Sequence, residues 1–530
     1  ALPIFSIFGG DGERGAKRRQ HSAWADWFRH GGKSISYYSS SMAKTFASLN
    51  PVTGEVVGKH PIATKREVYD AVTIASFAAT RWSELGFKGR RKVLIAYSEN
   101  ILKQIDQLAE IVTLETGKPT SDAQLEITLA AHHIAWAARN AESVLRTAHR
   151  SPGVLMANMS ATVERSPLGV VGVIGPWNYP VFTPMGSIAY ALAAGNTVVF
   201  KPSEYTPGVG VALADLFEHV AGSSEYFQVI TGFGETGAAL CRSGVKKLAF
   251  TGSTATAKKV AALCAQTLTP VIAECGGKDP VIVARDADLS KAVDATVWSA
   301  FSNAGQTCIG AERVYVDERV ADQFIEKVLE IARDIRPGAP GEGKYGPTTM
   351  PKQVPIIQSH IDDAIAKGAK VLMGGSDSVK APFVEPVILA EVPEDSIAMT
   401  EETFGPTIAI NRVKDMAEAI HLTNASRYGL GASVWSKQEG KKIASQLHTG
   451  MVAINSVISF AAVDAVPFGG VKDSGYGRIH GPEGILEFTY PRTVVRARFQ
   501  LPIAFTSFSR TSGNDKLIIR LTKLLKGRLS

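Results

Sequence analysis

Cys308 closes the segment Ser302-Asn303-Ala304-Gly305-Gln306-Thr307-Cys308, after a helical pattern that begins near Asp288. Gly305 is expected to end that helix and leave the thiol on a loop, where a carbonyl carbon can reach it. A lone cysteine is as often a small buried hydrophobe, and this segment alone weighs equally for either role. Glu274 follows the apolar Val271-Ile272-Ala273 and precedes Cys275-Gly276-Gly277. That is the position beyond a strand's carboxyl end where open α/β sheets bind ligands. A half-buried carboxylate there suits activation of water for thioester hydrolysis, although a turn-capping Glu is the commoner case. Pro176-Trp177-Asn178-Tyr179-Pro180 restrains its backbone with two prolines. Thiolate addition to a carbonyl creates an oxyanion, and the Asn178 amide is a donor that keeps its own proton. One such donor is worth about 3 kcal/mol. In isolation the segment reads first as a rigid turn.

Further segments carry groups for a phosphorylated ligand. Phe250-Thr251-Gly252-Ser253-Thr254 runs from a strand pattern into a helix over 255–266. Gly252 and Ser253 at that helix start make either an anion site for a diphosphate or an ordinary cap. Gly232-Phe233-Gly234-Glu235-Thr236-Gly237 also fits a dinucleotide fingerprint. No acidic residue follows about 20 positions on, so Gly234 is kept as a secondary cofactor contact and not as the main diphosphate site. Lys201-Pro202-Ser203-Glu204 could hold ribose hydroxyls or be a solvated loop pair. Glu402-Thr403-Phe404-Gly405-Pro406 could hold a ribose with a ring packed beside it, or be a charged turn with one core aromatic.

The elements that must position these groups read as two α/β bodies. The 530 residues predict two or three domains. Short apolar strands are expected at Val170–Ile174, Thr197–Phe200, Phe227–Ile230 and Leu248–Thr251, then at Val281–Val283, Val314–Val316 and Val371–Met373. Helical stretches between them indicate parallel sheets covered on both faces. Thr64 and Glu67 form a capping-box pattern ahead of Val68, Ala71, Val72 and Ala75. Two stray strands, Ala161–Arg165 and Thr493–Phe499, suit an arm between subunits. No apolar run reaches the ~18 residues of a membrane span. The four cysteines lack metal-ligand spacing, so no metal is expected, and a reducing, cytoplasmic setting is. The net charge of +7 collects at the two ends, which argues against nucleic-acid binding by the body.

Taken together and in this order, the motifs resemble the aldehyde dehydrogenase superfamily over roughly residues 47–500, with Pro467-Phe468-Gly469-Gly470 completing the set. The resemblance implies a Rossmann-like cofactor domain, an α/β catalytic domain and a small β-arm for assembly into a homodimer or homotetramer. The expected boundaries are a cofactor domain at 42–152 and 168–275 and a catalytic domain at 276–486, preceded by a leader at 1–41 whose Gly pairs, basic run and Ser cluster read as poorly ordered. An arm at 153–167 and 487–503 and a basic tail at 504–530 complete the chain. The resemblance further implies Cys308 as nucleophile, Glu274 as the base for thioester hydrolysis, and Asn178 with the Cys308 N–H as the oxyanion hole. Lys201 and Glu204 are implied on the adenine-side ribose and Ser253 on the diphosphate, with Ser203 and Gly252 as further cofactor contacts. Glu402 is implied on the nicotinamide ribose, with Phe404 beside the ring and Trp177 as a further cofactor contact. Phe468, with Tyr179 and Phe182, gives a tunnel with apolar walls. The family often has Leu where Cys275 stands and Gly where Ala257 stands; neither change removes a catalytic group.

Glu204 favours NAD over NADP, because a carboxylate accepts the ribose 2′-OH and repels a 2′-phosphate. A CoA-acylating dehydrogenase and a non-catalytic scaffold remain as alternatives; Glu274 counts against the first and the intact site residues against the second. No basic residue stands out for a substrate carboxylate. In the tail, Leu517, Ile518, Leu521, Leu524 and Leu525 share one helical face and most of the basic residues lie on another. That pattern fits weak contact with a membrane surface, or packing on the protein's own surface or a neighbouring subunit.

Overall fold

The apolar runs are short, so the two main sheets are built from strands of two to seven residues. The computed structural model describes residues 44–153, 156–500 and 507–524. The leader expected at 1–41 lies outside them. A six-stranded sheet has the order Gly475–Tyr476, Val271–Glu274, Lys247–Thr251, Val170–Ile174, Thr197–Lys201, Phe227–Val229. All neighbours are parallel except the first pair. Val170–Ile174 and Thr197–Lys201 are buried along their whole length, as expected of strands covered by helices on both faces.

From Val170–Ile174 the chain moves to one side of the sheet, through Thr197–Lys201 and Phe227–Val229. It then returns to Lys247–Thr251 on the other side. That reversal opens a crevice at the carboxyl ends of the central strands, where such sheets take ligands. Register places Thr251 beside Glu274 at this edge.

A seven-stranded sheet follows: Lys370–Met373, Val387–Ala390, Thr407–Val413, Ala311–Asp317, Asp279–Val283, Ser433–Trp435, Ala453–Ile454. Only the first pair is antiparallel. The two stray strands, observed as Met159–Pro167 and Thr489–Ala497, pair with each other, Thr493 opposite Val163. A third strand, Ala148–Arg150, joins them from ahead of the expected arm boundary. The capping box forms: Thr64 N–H donates to Glu67 at 2.7 Å and Glu67 N–H to the Thr64 hydroxyl at 3.3 Å. Among the described residues no helix is long and apolar enough to cross a membrane.

One expectation needs correction. Gly305 does not end the helix before the thiol. The helix Leu289–Phe301, capped by Asp288, stops four residues earlier, and Asn303, Ala304 and Gly305 all take left-handed conformations. Such a backbone costs about 1–3 kcal/mol at each non-glycine position and persists only where its surroundings fix it. Here they do. The Asn303 amide donates to the carbonyls of Asn178 and Gln306, both at 3.2 Å. The Gln306 amide returns a bond to the Asn303 carbonyl at 2.9 Å and accepts from Thr349 N–H at 2.8 Å. A Cβ on Gly305 would lie 2.1 Å from the Gly405 carbonyl oxygen, so glycine is required there for close approach.

Candidate active site

The left-handed turn delivers Cys308 to the meeting point of two cavities. One is lined mainly by apolar groups, among them Phe182, Trp298, Ile458 and Phe468, together with Tyr179 and His480. The other runs between Trp177, Gly252–Ala255, Glu402 and Phe404. Cys308, Glu274, Cys275, Thr183 and Thr251 line both. The three expected tunnel residues therefore stand on one side of the thiol, with Trp177, Asn178, Gly252, Ser253, Glu402 and Phe404 on the other. Lys201, Ser203, Glu204 and Gly234 are not in either lining. They sit further along the carboxyl edge, at the end of Thr197–Lys201 and the start of helix Gly234–Arg242.

Asn178 is buried, and its amide nitrogen donates to the Gln306 carbonyl at 2.9 Å. Its own carbonyl accepts from Lys118 Nζ at 2.7 Å. Lys118 and Glu126 are fully buried and paired at 2.6 Å, and Glu126 also accepts the backbone N–H groups of Val181 (2.8 Å) and Phe182 (3.3 Å). One ion pair thus fixes the whole segment around Asn178. Tyr179 bonds Thr307 at 2.9 Å and lies under Lys118 at 4.3 Å, tying the same segment to the thiol loop.

Glu274 is 3% exposed and neither carboxyl oxygen has a hydrogen-bond partner. Burial raises its pKa well above the usual carboxylate range; Arg478 opposes this and Glu487 adds to it. Gly469 lies so close that a Cβ there would meet a Glu274 oxygen at 2.8 Å. Burial also raises the Cys308 thiol, helped by Glu402, Asp279 and Glu274, while its own backbone N–H pulls the other way. Glu402 is itself pushed up to about 8, by burial first and then by Glu312.

Glu402 accepts Gly277 N–H at 3.1 Å. The loop that carries it is held by Glu312, which accepts the N–H groups of Thr403 (2.9 Å) and Phe404 (2.9 Å) and pairs with buried Lys278. Phe404 meets Trp177 edge-on, ring centres 5.6 Å apart. Ser253 caps helix Thr254–Ala265, whose free N–H groups open into the same cleft. A helix N-terminus, a carboxylate and two aromatic rings suit the diphosphate, ribose and flat ring of a dinucleotide. Lys201 is buried, with its pKa lowered for that reason, and pairs with the half-exposed Glu204 at 3.6 Å. Among the described residues no group of three or more His, Cys, Asp or Glu is placed to hold a metal.

Sequence reasoning missed Lys118, Glu126, Glu312 and Lys278. Only Lys278 carried a signal, since it extends the Glu274-Cys275-Gly276-Gly277 motif.

The model of the aldehyde dehydrogenase family matches residues 37–494. The chain is 38% identical to 4,4'-diapolycopene aldehyde oxidase of Methylomonas sp over 463 residues, 86% of this chain and 87% of that one. It is also 38% identical to glutarate-semialdehyde dehydrogenase of Pseudomonas putida over 458 residues, 84% of this chain and 94% of that one. The structure is similar to NADP-dependent glyceraldehyde-3-phosphate dehydrogenase from Bacillus halodurans C-125, with TM-score 0.81, 33% identity, and 86% and 96% of the two chains covered. The chain belongs to the aldehyde dehydrogenase family, and its reaction is the NAD(P)-dependent oxidation of an aldehyde to the carboxylic acid.

Proposed function

We propose that Cys308, as its thiolate, attacks the aldehyde carbon, and that Asn178 and the Cys308 N–H hold the oxyanion that forms. The observation that carries this reading is the position of Cys308 and Glu274 in the lining of both cavities. Asn178 commits one amide proton to Gln306 and keeps the second for the oxyanion. The chemistry that a bound NAD(P) supplies is acceptance of hydride from the tetrahedral adduct, which leaves a thioester on Cys308. Glu274, once ionised, takes a proton from water as the water oxygen attacks the thioester carbon. The C–S bond then breaks, and the acid leaves. Gly252 and Ser253 face the diphosphate, Glu402 the nicotinamide ribose, and Trp177 and Phe404 the rings. Lys201, Ser203 and Glu204 serve the adenine-side ribose, with Gly234 beside them.

The substrate class follows from the tunnel wall. Its single cation, Lys118, is already paired with Glu126, and it also carries the acid Asp122. Leu125 and Trp298, about half exposed, extend the apolar lining. A substrate carboxylate would enter without a partner, at a cost of several kcal/mol. The preferred substrates are therefore uncharged apolar aldehydes. With NAD reduction followed by absorbance, kcat/KM for octanal is expected to exceed that for succinate semialdehyde by at least about a hundredfold. A semialdehyde that equals octanal would sink this assignment.

Glu204 supports a preference for NAD over NADP. The wild-type ratio of kcat/KM should favour NAD, and Glu204→Gln should narrow it about tenfold by removing a like charge from the 2′-phosphate. A wild-type enzyme faster with NADP would overturn the assignment. The reading also includes the domain division expected from sequence, with Ala148–Arg150 added to the arm. It includes assembly into a homodimer or homotetramer through that arm, a cytoplasmic location, and contact of the C-terminal tail with a membrane surface.

A further inference from the structure

The C-terminal helix Ser512–Leu524 has no buried residue. Leu517 and Leu521 are each 43% exposed and Leu524 80%. At 100° per residue these three and Ile518 fall within a wedge of about 120°, and Lys516, Arg520 and Lys523 within an adjoining wedge of about 60°. The helix's one acid, Asp515, is taken by Arg510 at 2.6 Å. The sequence beyond adds Leu525, Lys526 and Arg528 and no acid. At about 1.5 Å per residue the helix is roughly 20 Å long, too short to span a bilayer of about 30 Å. Phe508, just ahead of it, is fully exposed.

We propose that this helix lies flat on an anionic lipid bilayer, with its leucines in the acyl boundary and its lysines and arginine among the headgroups. The inference rests on the tail contact included with the proposed function and supplies its partner. Charge complementarity selects that partner. The helix sets three cations beside its apolar face, and its one acid is paired with Arg510, so a surface offering both apolar contact and anions matches it; anionic headgroups neutralise the cations at about 1 kcal/mol each. The consequence is a route for apolar aldehydes, which partition into bilayers, to an enzyme held at the same surface.

The test is co-sedimentation of the full chain with phosphatidylcholine vesicles, with and without phosphatidylglycerol. Binding is expected only to the anionic vesicles at low salt, with loss at high salt. The triple change Lys516→Glu, Arg520→Glu and Lys523→Glu should weaken it by about a hundredfold. Leu517→Ser with Leu521→Ser should also release the protein. Turnover of propanal in free solution is expected to be unchanged in both variants. That readout separates loss of membrane contact from misfolding, and from failure of the catalytic reading. Equal sedimentation of the full chain and a chain ending at Phe508 would overturn the proposal. So would equal binding to uncharged vesicles. A smaller oligomer on truncation, without vesicle binding by the full chain, would assign the helix to a neighbouring copy and overturn it as well.

Discussion

Replacing Cys308 by Ala is expected to lower kcat/KM by about four orders of magnitude or more, with folding and cofactor binding intact. The change removes one sulfur atom from a loop whose shape is set elsewhere, by Asn303, Gln306 and Gly305. Loss of activity would therefore report the missing nucleophile and not a collapsed turn. Cofactor binding, followed by tryptophan fluorescence, should survive because Trp177, Ser253 and Glu402 are untouched. The raised thiol adds a pH dependence. Only the thiolate reacts, so the rate of Cys308 alkylation by iodoacetamide should climb with pH through the neutral and alkaline range without a plateau near pH 7. Residual turnover in Cys308→Ala above about a hundredth of wild type would mean that another group makes the covalent bond.

Glu274→Gln should split the reaction in two. Glutamine matches glutamate in size, and neither Glu274 oxygen has a hydrogen-bond partner to lose, so the tunnel should keep its shape. The first turnover should still release one NADH per site, after which the thioester persists and the steady rate falls by about 10²–10⁴. Intact-protein mass spectrometry after quenching should find the acyl group on Cys308. In the wild type the base works only when ionised, and its folded pKa is raised. Deacylation should therefore increase with pH well beyond the usual carboxylate range, and this rise should be missing in Glu274→Gln. A variant that loses the first turnover as well would place Glu274 in acylation. Rescue of wild-type turnover by CoA in place of water would revive the acylating alternative.

Much of this was legible because the chemistry sits at strand ends. A strand that stops at Glu274 or Thr251 is announced by its apolar run, and the residue after the run faces the crevice. The supporting ion pairs were not legible. Lys118 and Glu126 flank the start of a 25-residue helix, where charges are normally solvated, and only the packed structure shows them buried together. The left-handed Ala304 was likewise invisible, since the sequence marks Asn303 and Gly305 as tolerant of that conformation but not Ala304, and one of the hydrogen bonds that enforce the turn comes from Asn178, 125 residues away. In isolation Lys201 reads first as one half of a solvated loop pair, and it is buried. Its strand runs one residue further than the apolar pattern.

The sharing of one sulfur by two cavities gives the protein two front doors. A polar electrophile would come through the cleft and be turned away when a dinucleotide fills it. A long, greasy electrophile would come through the tunnel and find the same atom, whether or not the other side is occupied. Protection by cofactor against a series of covalent inhibitors of rising chain length thus becomes a map of which entrance each one uses, and a molecule reaching into both would be selective for proteins that join the two rooms in this way.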